Sequence, residues 1–391
     1  MTTITLPKKL IQNFSLIICF LFISISAQAQ TSSNPTAARY VAPLEEALQT
    51  YEKIAANGGW LPLSMGKKIQ DGESDPRIPT IRQILTTMGD YDTNENISTA
   101  STVFDKTLVE AVKNFQTRHG LEPDGTIGAR TQSEMAISAD YRVAQIKATL
   151  EKMRELPDLG DRYILVNVAG FYLKAVDKGA LTINSRVIVG NVKNQTPLFH
   201  SEITDISFNP PWYVPPRIAR EEIIKKQQKD PEFLIKGDYM VKTHDGEMVD
   251  VNSVDWANVN GSPYRFIQRA GERSALGKIK FNLPDTNSIY LHSTGSPKLF
   301  AKSERALSHG CIRVALARDL AHFILGKQDG WNYEKINSMY DSNKSKIIRV
   351  AAPAPVHLVY WTSWVDEESK QPHFAPDIYG KDKKRTYELQ K

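Results

Sequence analysis

A multi-domain α+β protein is predicted, with a helical first half, a β-rich second half and a charged insert within the latter. Three observations carry this. Apolar residues recur at helical spacing across much of residues 40–156. From Tyr163 the period drops to two, in runs rich in Val, Ile and Tyr. Between two of those runs, residues 216–233 are densely charged and helical in pattern. The 391 residues fit two or three domains of roughly 100–200 residues each.

Residues 30–37 are rich in Ser, Thr and Asn and are predicted to be a disordered lead-in. Leu44, Leu48, Tyr51 and Ile54 mark a helix over 40–56, which Asn57-Gly58-Gly59 ends. Residues 81–88 read as a short helix and 90–102 as a polar loop. Asp105 is placed to cap a helix that carries Leu108, Val109, Val112 and Phe115 on one face. Pro123-Asp124-Gly125 is a turn in which proline fixes φ and glycine supplies φ > 0. Thr131 is placed to cap a further helix to Ile137. His119 is read as a turn-packing residue, because no second metal ligand has suitable spacing. Residues 104–135 resemble the small three-helix peptidoglycan-binding domain. The resemblance rests on Ala111-Val112-Lys113-Asn114-Phe115-Gln116, His119-Gly120-Leu121, Asp124-Gly125 and Gly128.

A helix over 141–156, ended by Pro157, is expected to pack on the 40–56 helix, so the small module reads as an insertion into a helical scaffold. Strands are expected at 163–168, 171–176, 185–189, 203–208, 288–292 and 356–365, with a helix over 314–325. The charged segment 216–233 and the polar, loop-rich 239–261 read as a cap or lid beside the catalytic strands.

The first 29 residues read as an export signal. Lys8 and Lys9 form a basic start, residues 14–25 are almost wholly apolar, and Ala27-Gln28-Ala29 is an A-x-A cleavage site. The apolar run falls short of the ~20 residues a bilayer needs. Cleavage after Ala29 would leave Gln30 first, remove Cys19 and place the protein in the periplasm or cell envelope. No later stretch is apolar enough to span a membrane. The formal charge of +5 is slight, and no Lys/Arg block suggests nucleic acid.

Export leaves Cys311 as the single thiol, in Ser308-His309-Gly310-Cys311-Ile312-Arg313. A leftover thiol in an exported protein reads as a reactive group. The nucleophile is the thiolate, so the free pKa of about 8.5 must fall or a base must take the proton. His309 is too near in sequence to share a hydrogen bond easily with Cys311. His292 ends a predicted strand and is the better base. The backbone carbonyl of Ser293 would orient His292. The N–H groups of Gly310 and Cys311 would form an oxyanion hole. Tyr290 alternates onto the His292 face and is equally readable as a core aromatic or a site residue. Arg313 suits a substrate carboxylate or a structural role. His200, His244, His322, His357 and His373 show no ligand spacing, so no metal site is expected.

Tyr290-Leu291-His292 with Ser308-His309-Gly310-Cys311-Ile312-Arg313-Val314 resembles the signature of L,D-transpeptidases with a YkuD-type catalytic domain. Asn57-Gly58-Gly59-Trp60, Asn209-Pro210-Pro211-Trp212-Tyr213-Val214-Pro215, Ala275-Leu276-Gly277-Lys278-Ile279-Lys280-Phe281 and Asp377-Ile378-Tyr379-Gly380 are similar to its long, YcbB-like branch. One departure is Ser293 after His292, where many relatives have Gly or Asp. The resemblance implies a β-rich catalytic domain over 161–380 with a cap over about 216–262. Around it would lie a signal peptide at 1–29, a lead-in and scaffold at 30–80, a peptidoglycan-binding-like domain at 81–138, a linker helix at 139–160 and a tail at 381–391. It implies Cys311 as nucleophile and His292 as proton acceptor and donor, with Tyr290, His309, Arg313 and Trp212 at the substrate. It implies no metal or organic cofactor. A tetrapeptide stem would lose its terminal D-alanine, and a second stem amine would capture the acyl group in a 3→3 cross-link. Acylation of Cys311 by carbapenems is expected too. Partners would be peptidoglycan stem peptides and other wall-synthesis enzymes. The alternatives are an L,D-carboxypeptidase, a zinc peptidase built on His292, His309 and Cys311, and a wall-binding module without catalysis.

Overall fold

The computed structural model describes residues 35–92, 100–284, 286 and 288–390. The export-signal reading and part of the lead-in and 90–102 loop readings lie outside them. Five helices open the described chain: α1 (Pro35–Ala56), α2 (Ile78–Thr87), α3 (Lys106–Arg118), α4 (Ala129–Met135) and α5 (Ala139–Arg154). Residues 35–37, read as lead-in, belong to α1. Asp105 caps α3 by accepting from the Leu108 N–H at 3.0 Å. Thr131 does not cap; Gly128 holds the N-cap position of α4, and Thr131 is buried inside that helix. Its hydroxyl accepts from Gln116, which also binds Asp124 and so ties α3 to the Pro-Asp-Gly turn. His119 packs as expected, stacked on Phe115 at 3.9 Å and on Phe374 at 5.4 Å. Helices α1 and α5 lie together, joined by Lys147–Glu52 and Arg154–Glu45 ion pairs.

The β-rich half is built on nine strands. They are β1 (Arg162–Asn167), β2 (Tyr172–Asp177), β3 (Ala180–Gly190), β4 (His200–Phe208) and, after the cap, β9 (Ile279–Asn282), β10 (Leu291–His292), β11 (Ala306–Ser308), β12 (Ile312–Val314) and β13 (Lys346–Val359). Their order is β11-β3-β12-β10-β9-β4-β13-β1-β2, and β2 pairs back onto β3, so the sheet closes on itself. Alternation along β1 sends Ile164 and Val166 into the barrel core and Tyr163 and Leu165 into the helical core. Val356 and Leu358 against Val359 and Trp361 repeat the split after the parallel β1–β13 pairing. The two cores thus share the wall of one sheet.

Several expected bounds move. The strand expected over 288–292 is only Leu291–His292, because Thr286 Oγ1 bridges Leu283 O and Ile289 O and curls the chain before it. The helix expected from 314 starts later, as α9 (Ala317–Leu325), followed by α10 (Tyr333–Asp341). The last strand starts at Lys346 and stops at Val359; β14 (Ser363–Val365) and β15 (Pro372–Phe374) form a separate ribbon. Residues 381–391, read as a tail, carry helix α11 (Lys383–Leu389), fixed to α5 by Arg385–Glu151.

The insert has its own core of Ile223, Ile224, Leu234, Val241, Trp256 and Phe266. It contains α6 (Pro216–Ile218), a π-helical turn over Ala219–Ile223, α7 (Ile224–Lys229) and α8 (Phe233–Lys236). Residues 239–261 are not simply loop. With β5 (Trp212–Tyr213), they supply β6 (Tyr239–Lys242) and β7 (Met248–Val249), and β8 (Arg265–Gln268) completes a four-stranded sheet. Its bounds are therefore wider than 216–262.

Candidate active site

The turn that carries Cys311 is fixed from below. Ser308 Oγ donates to Cys311 O at 2.6 Å and accepts from the Gly310 N–H at 3.1 Å. Thr196 Oγ1 donates to Gly310 O at 2.7 Å and accepts from the Gly190 N–H at 2.8 Å. Gly310 stands at φ +113°, a conformation few residues other than glycine adopt, and a Cβ there would meet Ile289 Cδ1 at 3.1 Å. One expectation is corrected. The Gly310 N–H is turned onto Ser308 and is not available to a substrate oxygen in this arrangement. Satisfying a buried donor within the turn outweighs leaving it open.

Strand β10 lies between β9 and β12, pairing His292 with Lys280 on one side and Arg313 on the other. Ile312 N–H donates to Tyr290 O at 3.1 Å, so Tyr290 and Cys311 sit side by side just before the paired strands. Cys311 is half-buried, with Sγ 3.6 Å from Ser288 O. The Tyr290 N–H and hydroxyl are both within hydrogen-bonding reach of the sulfur. The Tyr290 ring meets the His292 imidazole edge-on at 5.6 Å and carries Lys280 Nζ at 4.3 Å from its centroid. The Trp212 side chain is within reach of the same hydroxyl. Tyr290 thus both packs on His292 and reaches the Cys311 sulfur.

Burial sets the protonation states. It pushes the Cys311 thiol up, against the pull of Tyr290, Lys280 and Arg313. It pushes His292 down to about 3, helped by Arg313; the backbone groups of Ser293 and Leu276 act the other way. His292 Nδ1 is buried without a well-formed hydrogen bond. Ser293 contributes its hydroxyl elsewhere, accepting from the Lys278 and Ile279 N–H groups at 2.8 and 3.0 Å. The resting pair is therefore neutral thiol and neutral imidazole. Alkylation of Cys311 by iodoacetamide in the free protein is expected to keep rising with pH beyond 9. A rate already at its plateau at pH 7 would contradict a raised thiol pKa.

The other assigned residues divide. Arg313 approaches Cys311 and Glu222, and burial lowers its pKa. Its Nε is buried with no partner among the described residues. His309 turns away to the cap, with Nε2 2.8 Å from Glu222 Oε1. Glu222 sits in the π-helical turn and also binds Lys226. Burial raises the Glu222 pKa, but Lys226, His309 and Arg313 hold it below its usual value. No group of three or more His, Cys, Asp or Glu able to hold a metal occurs among the described residues. The donor set of the zinc-peptidase alternative is thus not gathered.

Lys280 and Glu222 were not singled out from sequence. Alternation within 279–282 would have placed Lys280 beside His292. Nothing local marks Glu222, which lies 87 positions before His309.

The YkuD family, described as an L,D-transpeptidase catalytic domain, matches residues 161–347, which contain every residue of this cluster. Residues 161–347 belong to that family. A second family, described as "Putative peptidoglycan binding domain", matches residues 74–135. A Haemophilus influenzae protein named "Putative L,D-transpeptidase" is 37% identical over 234 residues, which is 60% of this chain and 47% of that one. The chain thus spans about half the length of that curated relative. Among solved structures, an L,D-transpeptidase (Yku) from Stackebrandtia nassauensis is 15% identical, with a TM-score of 0.30 over 76% of this chain and 97% of that one. The ertapenem-acylated catalytic domain of an E. faecium L,D-transpeptidase is 10% identical, with a TM-score of 0.24 over 51% of this chain and 97% of that one. In the YkuD-family domain of this chain, the cap is tied to the Cys311 turn through Glu222 and His309. No helix among the described residues is long and apolar enough to cross a membrane.

Proposed function

We propose that this chain is an exported peptidoglycan L,D-transpeptidase that forms 3→3 cross-links through a thioester on Cys311. The observation that carries this is a half-buried thiol set beside the Tyr290 hydroxyl, between two cations and next to the strand that ends in a buried, neutral imidazole. His292 takes the thiol proton as sulfur attacks the carbonyl of the third stem residue. The developing oxyanion meets the Cys311 N–H. The C–N bond then breaks, and terminal D-alanine leaves with the proton from His292. A side-chain amine of a second stem attacks the thioester, loses its proton to His292 and returns the thiol. Tyr290 donates to sulfur while it carries charge, and Arg313 and Lys280 stabilise that charge. Arg313, whose guanidinium approaches Cys311, is suited to a stem carboxylate. Trp212 holds Tyr290 from the cap side.

The reading needs no metal or organic cofactor, and it makes Cys311 a target for carbapenems. Its place is the periplasm or cell envelope, as the basic start, apolar run and A-x-A site of residues 1–29 support. Transfer is preferred to hydrolysis because the cap, latched by His309 and Glu222, limits water at the thioester. Mass spectrometry of the protein incubated with a disaccharide-tetrapeptide tests this. Expected are an adduct on Cys311 equal to the donor less one alanine, and cross-linked dimers among the products. Disaccharide-tripeptide alone would assign an L,D-carboxypeptidase. A product without any Cys311 adduct would overturn the mechanism.

A further inference from the structure

The seam between the two matched domains encloses a cleft of about 620 Å³, within the size range of small-ligand sites. Residues 117–134 form one wall and residues 169–171, 301–305 and 376–378 form much of the other. Neither Cys311 nor His292 lines it. Phe171, Trp364, Pro376 and Ile378 give it aromatic and apolar faces. Its charged side is cationic, with Arg186, Lys302 and Arg305.

The carboxylates nearby are largely committed. Glu304 pairs with Arg130 across the cleft mouth at 2.8 Å, and Glu134 pairs with Arg142 at 2.6 Å. Arg305 spends its donors on the carbonyls of Val187, Lys302 and Phe171. Among the described residues, the side-chain bond of Arg186 is a long one, to Phe300 O at 3.3 Å. Burial and then the like charge of Arg186 press Arg305 down to about 10, with Glu122 acting in the opposite direction. Glu122 also lines the cleft and has no ion pair among the described residues, but Arg186, Lys302 and Arg305 outnumber it; that balance favours an anion, and a carboxylate fits a guanidinium in shape.

The cleft walls also run into the nucleophile turn. Arg305 leads through Ala306–Ser308 to Cys311. Ile378 precedes Tyr379, whose hydroxyl donates to Gly190 O at 2.6 Å and accepts from the Thr196 N–H at 3.2 Å. Thr196 in turn holds Gly310 O.

We propose that this cleft is a second peptidoglycan site, which holds a carboxylate-bearing muropeptide segment between Arg186 and the aromatic walls while another stem reacts at Cys311. It rests on the transpeptidase reading above and names a ligand position which that reading lacks.

Calorimetric titration of the full chain carrying Cys311→Ala with a disaccharide-tripeptide, which has no fourth residue to lose, tests it without turnover. Arg186→Ala, at an exposed position, removes the charge. Ser133→Trp, also exposed, fills the space. Each is expected to weaken binding at least tenfold, and an uncharged amino-sugar tetramer is expected to bind at least tenfold more weakly than the muropeptide. Unchanged affinity in either variant overturns the cleft assignment, and equal affinity for the uncharged tetramer overturns the carboxylate. The two readings fail separately. A Cys311 adduct from the tetrapeptide, with binding indifferent to both variants, sinks the cleft alone. Cleft-dependent binding without any adduct sinks the catalytic reading alone.

Discussion

Replacing His292 with glutamine is expected to lower the rate of Cys311 acylation by about 10²–10⁴-fold, the usual range for losing a general base; Cys311→Ala is expected to abolish it. Glutamine keeps much of the imidazole's size and its hydrogen-bonding capacity, so the loss would report basicity and not a collapsed site. The raised thiol pKa sets the size of this effect. A sulfur that were already ionised would need no base, and His292→Gln would then cost little. Because burial holds Cys311 in its neutral form, the proton must be removed during attack. His292 is held neutral by burial, so a ring nitrogen is unprotonated throughout the physiological range. The diagnostic readout is the pH profile of acylation, followed as adduct formation with a tetrapeptide donor. In the parent, no inflection is expected near pH 6.5, where an ordinary histidine would titrate. In His292→Gln, the rate should climb with each unit of pH up to the thiol pKa, because hydroxide replaces the missing base. Equal acylation rates for parent and variant at pH 7 would remove His292 from the mechanism. A uniform loss with an unaltered profile would make it structural.

Much of this arrangement is legible in the amino-acid sequence. The switch from helical to alternating periodicity at Tyr163 located the helical and β-rich halves, because β1 faces two cores and its alternation is complete. Cys311 and His292 stand out in the sequence because the chemistry of a single reactive thiol restricts its partners to a few candidates, and the fold sets their strands side by side. Tyr290 could not be decided, since an aromatic one step from the site reads the same way as a core residue. Gly310 was misassigned because its N–H has two possible acceptors, and only the fold shows that Ser308 Oγ claims it. Glu222 meets the site from the cap, through a contact that depends on how an insert folds back. The cleft between helical module and barrel is likewise a product of docking. The polar stretch 239–261 conceals strands because they are short, of four and two residues, and almost none of their side chains is buried.

Lowering the pH from 7.5 to 5 is expected to destabilise the fold by several kcal/mol, seen as a fall of roughly 10 °C in the thermal midpoint. Four histidines account for this. Burial lowers His292 to about 3 and both His357 and His373 to about 4; it takes His119 well below its ordinary value, with Arg142 and Arg118 adding to the effect. The sign follows from proton uptake. Below pH 6.5 the unfolded chain protonates these imidazoles while the folded chain does not, so stability falls as pH falls until each folded pKa is reached. Each group contributes on the order of 1 to 2 kcal/mol at pH 5. Carboxylates held low, such as Asp105 at about 2, act in the same direction only below about pH 4, so the two effects separate on the pH axis. His119 stacks between Phe115 and Phe374, where the helical module meets the β14–β15 ribbon, and His357 shares a ring-nitrogen contact with His200 at 2.6 Å. Protonation there would charge packed interfaces instead of open surface. Thermal melts from pH 7.5 to 5 in the parent and in His373→Phe provide the check. The variant should show a shallower dependence over that interval, by about the share of one histidine. A midpoint that stays level across it would mean that these imidazoles are solvated or already charged in the fold.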